Sequence, residues 1–188
     1  MQVYLIRHGH VDYARAVDRY AAGLSSQGLA ESARVARLCR EWDIQFLVTS
    51  TTVCAEQTAD AIHAEVPDAI RWDLDELQDI GIEEQTIDPT MHPHAEHWTA
   101  EQRLLAYERT WTRVTATVAR LQVYTQTYGL DRLAIVSHPD VLNLLLLNWL
   151  GMDWRLADDI RFTWDWGATA KVVVEGDQAC IEWANRPS

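Results

Sequence analysis

Short runs of branched and aromatic residues alternate with helical stretches along most of this chain, and that alternation restricts the fold more than any other feature. Residues 2–6 (QVYLI) read as a buried strand, 44–50 (IQFLVTS) as a second and 132–138 (RLAIVSH) as a third. The segment LSSQGLAESARVARLCREW predicts a helix over 26–42, with apolar residues at Leu29, Ala33, Ala36 and Leu38. TTVCAEQTADAIHAEV predicts a helix capped by Thr51 or Thr52 that stops before Pro67, with a short strand following at AIRW. A long helix is expected from Thr99 to Tyr128, closed by Gly129. PDVLNLLLLNWLG reads as a helix with proline near its start, and ATAKVVVEG and QACIEWAN as two tail strands joined at Gly176-Asp177.

Strands joined through helices run parallel, because the helix carries the chain back to the same end of the sheet. The expected class is therefore α/β: a three-layer α/β/α sandwich with a mostly parallel central sheet, the tail strands forming a hairpin or antiparallel edge. No repeat, low-complexity stretch or linker divides the chain, so residues 1–188 read as one domain. Residues 74–98 stand apart. They carry Pro89, Pro93, several carboxylates and three histidines with weak periodicity, and read as an irregular excursion over the protein.

The net charge of −12 argues against nucleic acid or an anionic membrane as partner. An anionic small substrate would need a local cationic pocket. No charged-then-apolar leader and no apolar run of transmembrane length is visible, and LNLLLLNWL (142–150) reads as a buried helix. Cys39, Cys54 and Cys180 are odd in number and widely spaced, with neither a disulfide framework nor metal-ligand spacing. A reducing, cytoplasmic setting is expected.

In an open α/β sheet, ligands bind beyond the carboxyl ends of the strands. Arg7-His8-Gly9 lies at the end of the first strand and His138 at the end of another. Two histidines distant in sequence are thus delivered to one edge. Gly9 allows a sharp turn and close approach to a ligand, and Arg7 offers a planar fork suited to phosphate or carboxylate. A lone histidine at a strand end is usually a loop residue, so it is the combination that points to chemistry.

These segments carry a resemblance. LIRHG followed by LSSQGLAESARVA resembles the opening of the histidine phosphatase superfamily, whose fold is phosphoglycerate mutase-like. LAIVSHPDVLNLLL resembles that family's second histidine motif, and LDELQDIGIEEQT (74–86) its acidic segment, with one extra residue before Gly81. The likeness runs in order over about residues 2–185. It implies a phosphomonoesterase acting on a small phosphorylated substrate. His8 would form a phosphohistidine, Arg7 and His138 would hold the phosphoryl oxygens, and Glu76 would protonate the leaving oxygen. Residues 74–98 would form a cap over the site. No metal or other cofactor is implied. Apart from the likeness, Glu76 lies among Asp73, Asp75, Asp79, Glu83 and Glu84, where most carboxylates are simply solvated.

The pattern breaks at one place above all. The family's Ser-Pro-Leu-x-Arg-Ala-x-Gln-Thr-Ala reads STTVCAEQTA here, so Cys54 occupies the position of the second phosphate-binding arginine. No arginine or lysine lies between Arg40 and Arg71 to replace it. Charge-assisted hydrogen bonds are worth about 1.5–3 kcal/mol each, so losing a two-pronged contact costs roughly 10²–10⁴ in rate if felt in the transition state. His10, Val11 and Ala14 replace the acid, hydroxyl and asparagine that often follow Arg-His-Gly, and Pro139 follows the second histidine.

Three readings remain open. The pocket is rebuilt around Arg15, Arg19 or His10; the protein binds a phospho-ligand or a protein partner without turnover; or Cys54 works as a low-pKa thiolate. A phosphoglycerate mutase is the weaker alternative, because it needs more cationic groups. His92, His94 and His97 form a cluster that could bind a transition metal, although a surface cap loop is the plainer reading. Nine tryptophans are many for this length; Trp98 and Trp111 are expected to anchor the cap, and Trp164 and Trp166 to alternate on a strand. With the tail strands they could also supply a homodimer interface.

Overall fold

The computed structural model describes residues 1–13, 21–88, 90–92, 97–176 and 178–188, and for Glu83 and Thr86 the backbone alone. Six strands, β1 (Gln2–Arg7), β2 (Phe46–Ser50), β3 (Ile70–Leu74), β4 (Arg132–Ser137), β5 (Thr169–Glu175) and β6 (Gln178–Arg186), form one sheet in the order β3-β2-β4-β1-β5-β6. β3, β2, β4 and β1 run parallel. β5 pairs antiparallel with β1, and β6 antiparallel with β5, which makes the tail an added edge on a parallel sheet.

Side chains alternate across a strand, and here each face has its own core. Val3, Leu5, Phe46, Val48, Leu133 and Ile135 pack on one side against α4 (Ala100–Tyr128) and α5 (Pro139–Trp149), through Val114, Val118, Leu121, Leu142 and Leu145. Tyr4, Ile6, Leu47, Ala134 and Val136 pack on the other side against α1 (Ser26–Glu41) and α2 (Val53–Glu65), through Val35, Ala36, Cys39, Ala59 and Ile62. The three-layer sandwich follows from that two-sided burial.

The helix ends are set by local chemistry. Ser25 caps α1 by accepting from Gly28 N at 3.1 Å. Thr99 and Gln102 cap α4 reciprocally, and Gly129 closes it at φ +64°, where a side chain would be strained. The buried face of α1 differs from the sequence expectation. Gly28, Glu31, Ser32, Val35, Ala36 and Cys39 face inward, whereas Leu29 is 56% exposed. Small residues win that face because α1 packs closely on the loop after β1, which leaves no room for leucine.

Two other expectations change. The excursion at 74–98 is not wholly irregular, since it contains a 3₁₀ turn at Asp75–Leu77 and a helix, α3 (Ile80–Ile87). Ile80, Met91 and Trp98 form a third apolar cluster with Ala106, Tyr107, Leu144 and Trp154, and Trp111 packs against it. Trp164 and Trp166 are not on a strand, because the segment before β5 is irregular. Arg15, Arg19, Ala14, Pro89, Pro93, His94 and Asp177 lie outside the described residues.

The tightest approach in the fold joins the β1 loop to α1. A Cβ on Gly9 would meet Gly28 O at 2.5 Å and Ser32 Oγ at 2.9 Å, and one on Gly28 would overlap the His10 carbonyl. Gly28→Ala is therefore expected to destabilise the protein by about 1–3 kcal/mol through overpacking, read as a lower urea midpoint at unchanged slope.

Candidate active site

The register of β1 and β4 builds the site. Arg7 pairs with Ser137 across the parallel ladder, so the next residue on each strand is a histidine. His8 N donates to Ser137 O at 3.2 Å, and the His8 and His138 rings lie 4.9 Å apart at 60°. Both are buried, at 2% and 3% exposure.

His8 Nδ1 is 2.8 Å from Gly9 O. A carbonyl only accepts, so the proton of this bond belongs to Nδ1 and Nε2 keeps its lone pair. Burial first, then the neighbouring His138 and Arg7, hold the His8 imidazole well below its ordinary pKa. The ring is thus a neutral base with its remaining nitrogen unprotonated. His138 Nε2 meets Ser50 Oγ at 3.2 Å and Thr52 Oγ1 at 3.1 Å. Thr52 occupies the N-cap position of α2 but makes no side-chain capping bond. Its hydroxyl serves the histidine instead.

Arg7, at the end of β1, sets its guanidinium over Trp166, its Cζ 3.4 Å from the ring centroid. Its guanidinium also donates to the Trp164 carbonyl. Nε of Arg7 is buried without a hydrogen-bond partner among the described residues, and burial lowers the pKa of the group. The Trp166 ring also lies 5.3 Å from the rings of both His8 and His10. β5 starts two residues after Gly167, and Thr169 pairs with Ile6, which brings the preceding tryptophans beside Arg7. The WDWG run just before β5 is the available signal in the sequence, although tryptophans in such a run read first as packing residues.

The motif around Cys54 serves two purposes. Thr58 Oγ1 accepts from Gly9 N at 3.2 Å and donates to Cys54 O at 2.8 Å, while Gln57 Oε1 accepts from Leu24 N at 2.7 Å. These bonds tie α2 to the loop that follows His8. Glu31 adds a bond from His10 N at 2.7 Å, and His10 Nδ1 meets Ser25 Oγ at 2.8 Å. Cys54 itself is 4% exposed, packed with Val11 and Ala22, with Sγ 3.6 Å from Thr52 Oγ1. Burial pushes its thiol up to about 11. The expectation of a low-pKa thiolate is corrected by that burial: left to itself, Cys54 is a protonated thiol.

Two carboxylates of the acidic segment differ in their surroundings. Glu76 pairs with Arg120 of α4 at 3.4 Å, its side chain 40% exposed. Asp79, at the start of α3, is the carboxylate whose charge acts on Arg7, His8, Cys54 and Asp140. Asp140, in the first turn of α5, is raised to about 6 by burial and then by Asp79. In the sequence, Glu76 stands out by its place in a motif, and nothing local separates Asp79 from its acidic neighbours. His92 and His97 form an exposed pair with ring centroids 4.0 Å apart.

A neutral imidazole nitrogen, a second imidazole and a guanidinium converge at the ends of two parallel strands. That defines a histidine-centred site on an α/β sheet. The profile of the histidine phosphatase superfamily (branch 1) matches residues 3–186, and the chain belongs to that family. Solved structures agree in fold. The alpha-ribazole phosphatase of Shigella flexneri aligns at TM-score 0.75 with 19% identity, over 99% of this chain and 96% of that one. A mycobacterial glucosyl-3-phosphoglycerate phosphatase complexed with VO₃ aligns at 0.74 with 15% identity, over 98% of both chains. The phosphoserine phosphatase of Entamoeba histolytica, in complex with phosphoserine, aligns at 0.65 with 13% identity, over 98% and 96%. No protein of curated function matches the chain in sequence.

The three thiols are expected to separate by burial. At pH 8 in Ellman's reagent, exposed Cys180 reacts fast, while buried Cys39 and Cys54 wait for unfolding. Rapid labelling of Cys54, located by peptide mass, would contradict the packing around the site.

Proposed function

We propose that the protein is a phosphatase that hydrolyses a small phosphomonoester through a phosphohistidine on His8. The observation that supports this most directly is the orientation of His8: its Nδ1 is bonded to Gly9 O, and its lone pair is left beside His138 and Arg7. Nε2 attacks phosphorus, the P–O bond to the alcohol breaks, and the leaving oxygen takes a proton. Water then attacks the phosphohistidine and releases inorganic phosphate, returning the electron pair to His8. Arg7 and His138 stabilise the equatorial oxygens during both steps. The solved relatives named for alpha-ribazole, glucosyl-3-phosphoglycerate and phosphoserine phosphatases favour the same reaction class.

Two carboxylates compete for the role of acid. The family motif points to Glu76, and electrostatics points to Asp79, whose charge bears on His8 while Glu76 is paired with Arg120. We assign the proton to Asp79. Residues 74–98 act as the cap that selects the alcohol, and Trp166 supports Arg7.

Steady-state hydrolysis of aryl phosphates tests the reading. His8→Ala is expected to lower kcat by at least about 10³-fold, since a lost nucleophile leaves only binding effects. Asp79→Asn should lower kcat by about 10²–10⁴-fold for poor leaving groups and far less for p-nitrophenol, as loss of a general acid does. Glu76→Gln should stay within about threefold, because an exposed ion pair contributes little. The opposite order for Asp79 and Glu76 would return the acid to Glu76. A wild type without turnover that still binds inorganic phosphate in calorimetry would mean a binding protein.

A further inference from the structure

Replacing arginine by Cys54 removes a charge, and it also completes a set of donors. One ring nitrogen of His8, one of His138 and Sγ of Cys54 all lie within 4.8 Å of one another, and all three residues are buried. Among the described residues, no other three such side chains converge this way. We propose that this triad binds one divalent cation of the zinc class, and that the ion switches the enzyme off by occupying His8. The binding site stands on its own geometry; the switching rests on the phosphatase reading above.

The donor set selects the ion. Two imidazoles and a thiolate suit Zn²⁺ and its borderline-soft neighbours, whereas Mg²⁺ and Ca²⁺ want oxygen. Three protein ligands with a fourth position open to water or a phosphate oxygen is a common zinc arrangement. Bonds of about 2.0–2.3 Å at tetrahedral angles put ligand atoms about 3.3–3.6 Å apart. The triad therefore has to close by no more than about 1.5 Å on binding, within reach of side-chain rotation.

The surroundings fit a ligand role. Metal-bound histidine usually donates its other N–H to a carbonyl or carboxylate, and His8 Nδ1 already meets Gly9 O. His138 is held by Ser50 and Thr52, and the Thr52 hydroxyl stands 3.6 Å from Sγ of Cys54. Asp79 adds negative charge that acts on both His8 and Cys54, against the positive charge of Arg7. Binding breaks the S–H bond of Cys54, forms the metal–sulfur bond and releases the proton to water; no electron changes hands. An arginine at this position would exclude the ion by charge and by volume. The nitrogen that attacks phosphorus is the nitrogen that would hold the ion, so metal and phosphoryl group compete.

Co²⁺ titration of the metal-free full chain is the test. The expected result is one equivalent bound, with a thiolate-to-cobalt charge-transfer band that Zn²⁺ abolishes by displacement. Cys54→Ala removes the band and weakens Zn²⁺ binding by at least about 100-fold, since even outer-shell partners are worth 10–100-fold. His8→Ala weakens it independently, which covers the case that the cysteine variant does not fold. Cys39→Ala, Cys180→Ala and His92→Ala keep the band. Absence of the band in wild type, or its survival in Cys54→Ala, overturns the site. Zn²⁺ should suppress phosphatase turnover stoichiometrically, and a chelator should restore it. Turnover that rises with Zn²⁺ overturns the switch. Metal binding by a chain with no turnover in the metal-free form upholds the site and defeats the phosphatase reading instead; turnover without metal binding does the reverse.

Discussion

The parallel pairing of β1 with β4 is the constraint on which the rest depends. Arg7 opposite Ser137 fixes the level at which both chains leave the sheet, so His8 and His138 emerge side by side. A slip of one residue would turn each histidine to the opposite face. The register is held because both faces are buried: Val3 and Leu5 point to one core, Tyr4 and Ile6 to the other. The chemistry is thus set by the hydrophobic pattern of two strands, not by the loops beyond them.

Around that pair, the fold substitutes aromatic and backbone contacts for charge. Arg7 is half-buried, set over the Trp166 ring and bonded to a carbonyl, so its position is determined before any anion arrives. Such preorganisation lowers the cost of binding an anion and makes one guanidinium more effective than a mobile one. The described residues near His8 otherwise offer His10 at the edge of Trp166. Filling the site with imidazoles instead of a second arginine reduces the fixed positive charge beside Arg7, and it leaves donors that a soft cation can share.

Much of the fold was legible because it rests on periodicity. β1, β4 and α5 could be placed from apolar runs, Pro139 and the strand-end histidines. The face of α1 was not, because a close glycine contact rather than hydrophobicity decides it; Leu29 is exposed while Gly28 touches the loop. In the site, Arg7, His8 and His138 were readable from strand ends. Trp166 was not, since its place depends on an antiparallel strand formed at the far end of the chain. The sequence did not separate Asp79 from Glu76 among equivalent carboxylates, and only the 3₁₀ turn and α3 place them differently. In the sequence Cys54 reads only as a lost arginine; its convergence with two histidines is a tertiary fact that no spacing rule contains.

The central claim is that His8 carries the phosphoryl group. Rapid acid-free quenching of metal-free enzyme with excess aryl phosphate, followed by intact mass and peptide mapping, tests it most directly. The account predicts one phosphoryl group per chain, acid-labile and stable to base, on the peptide containing His8. Turnover with no such adduct in wild type on any accessible timescale, or an adduct that maps to His138 or Cys54, would contradict it.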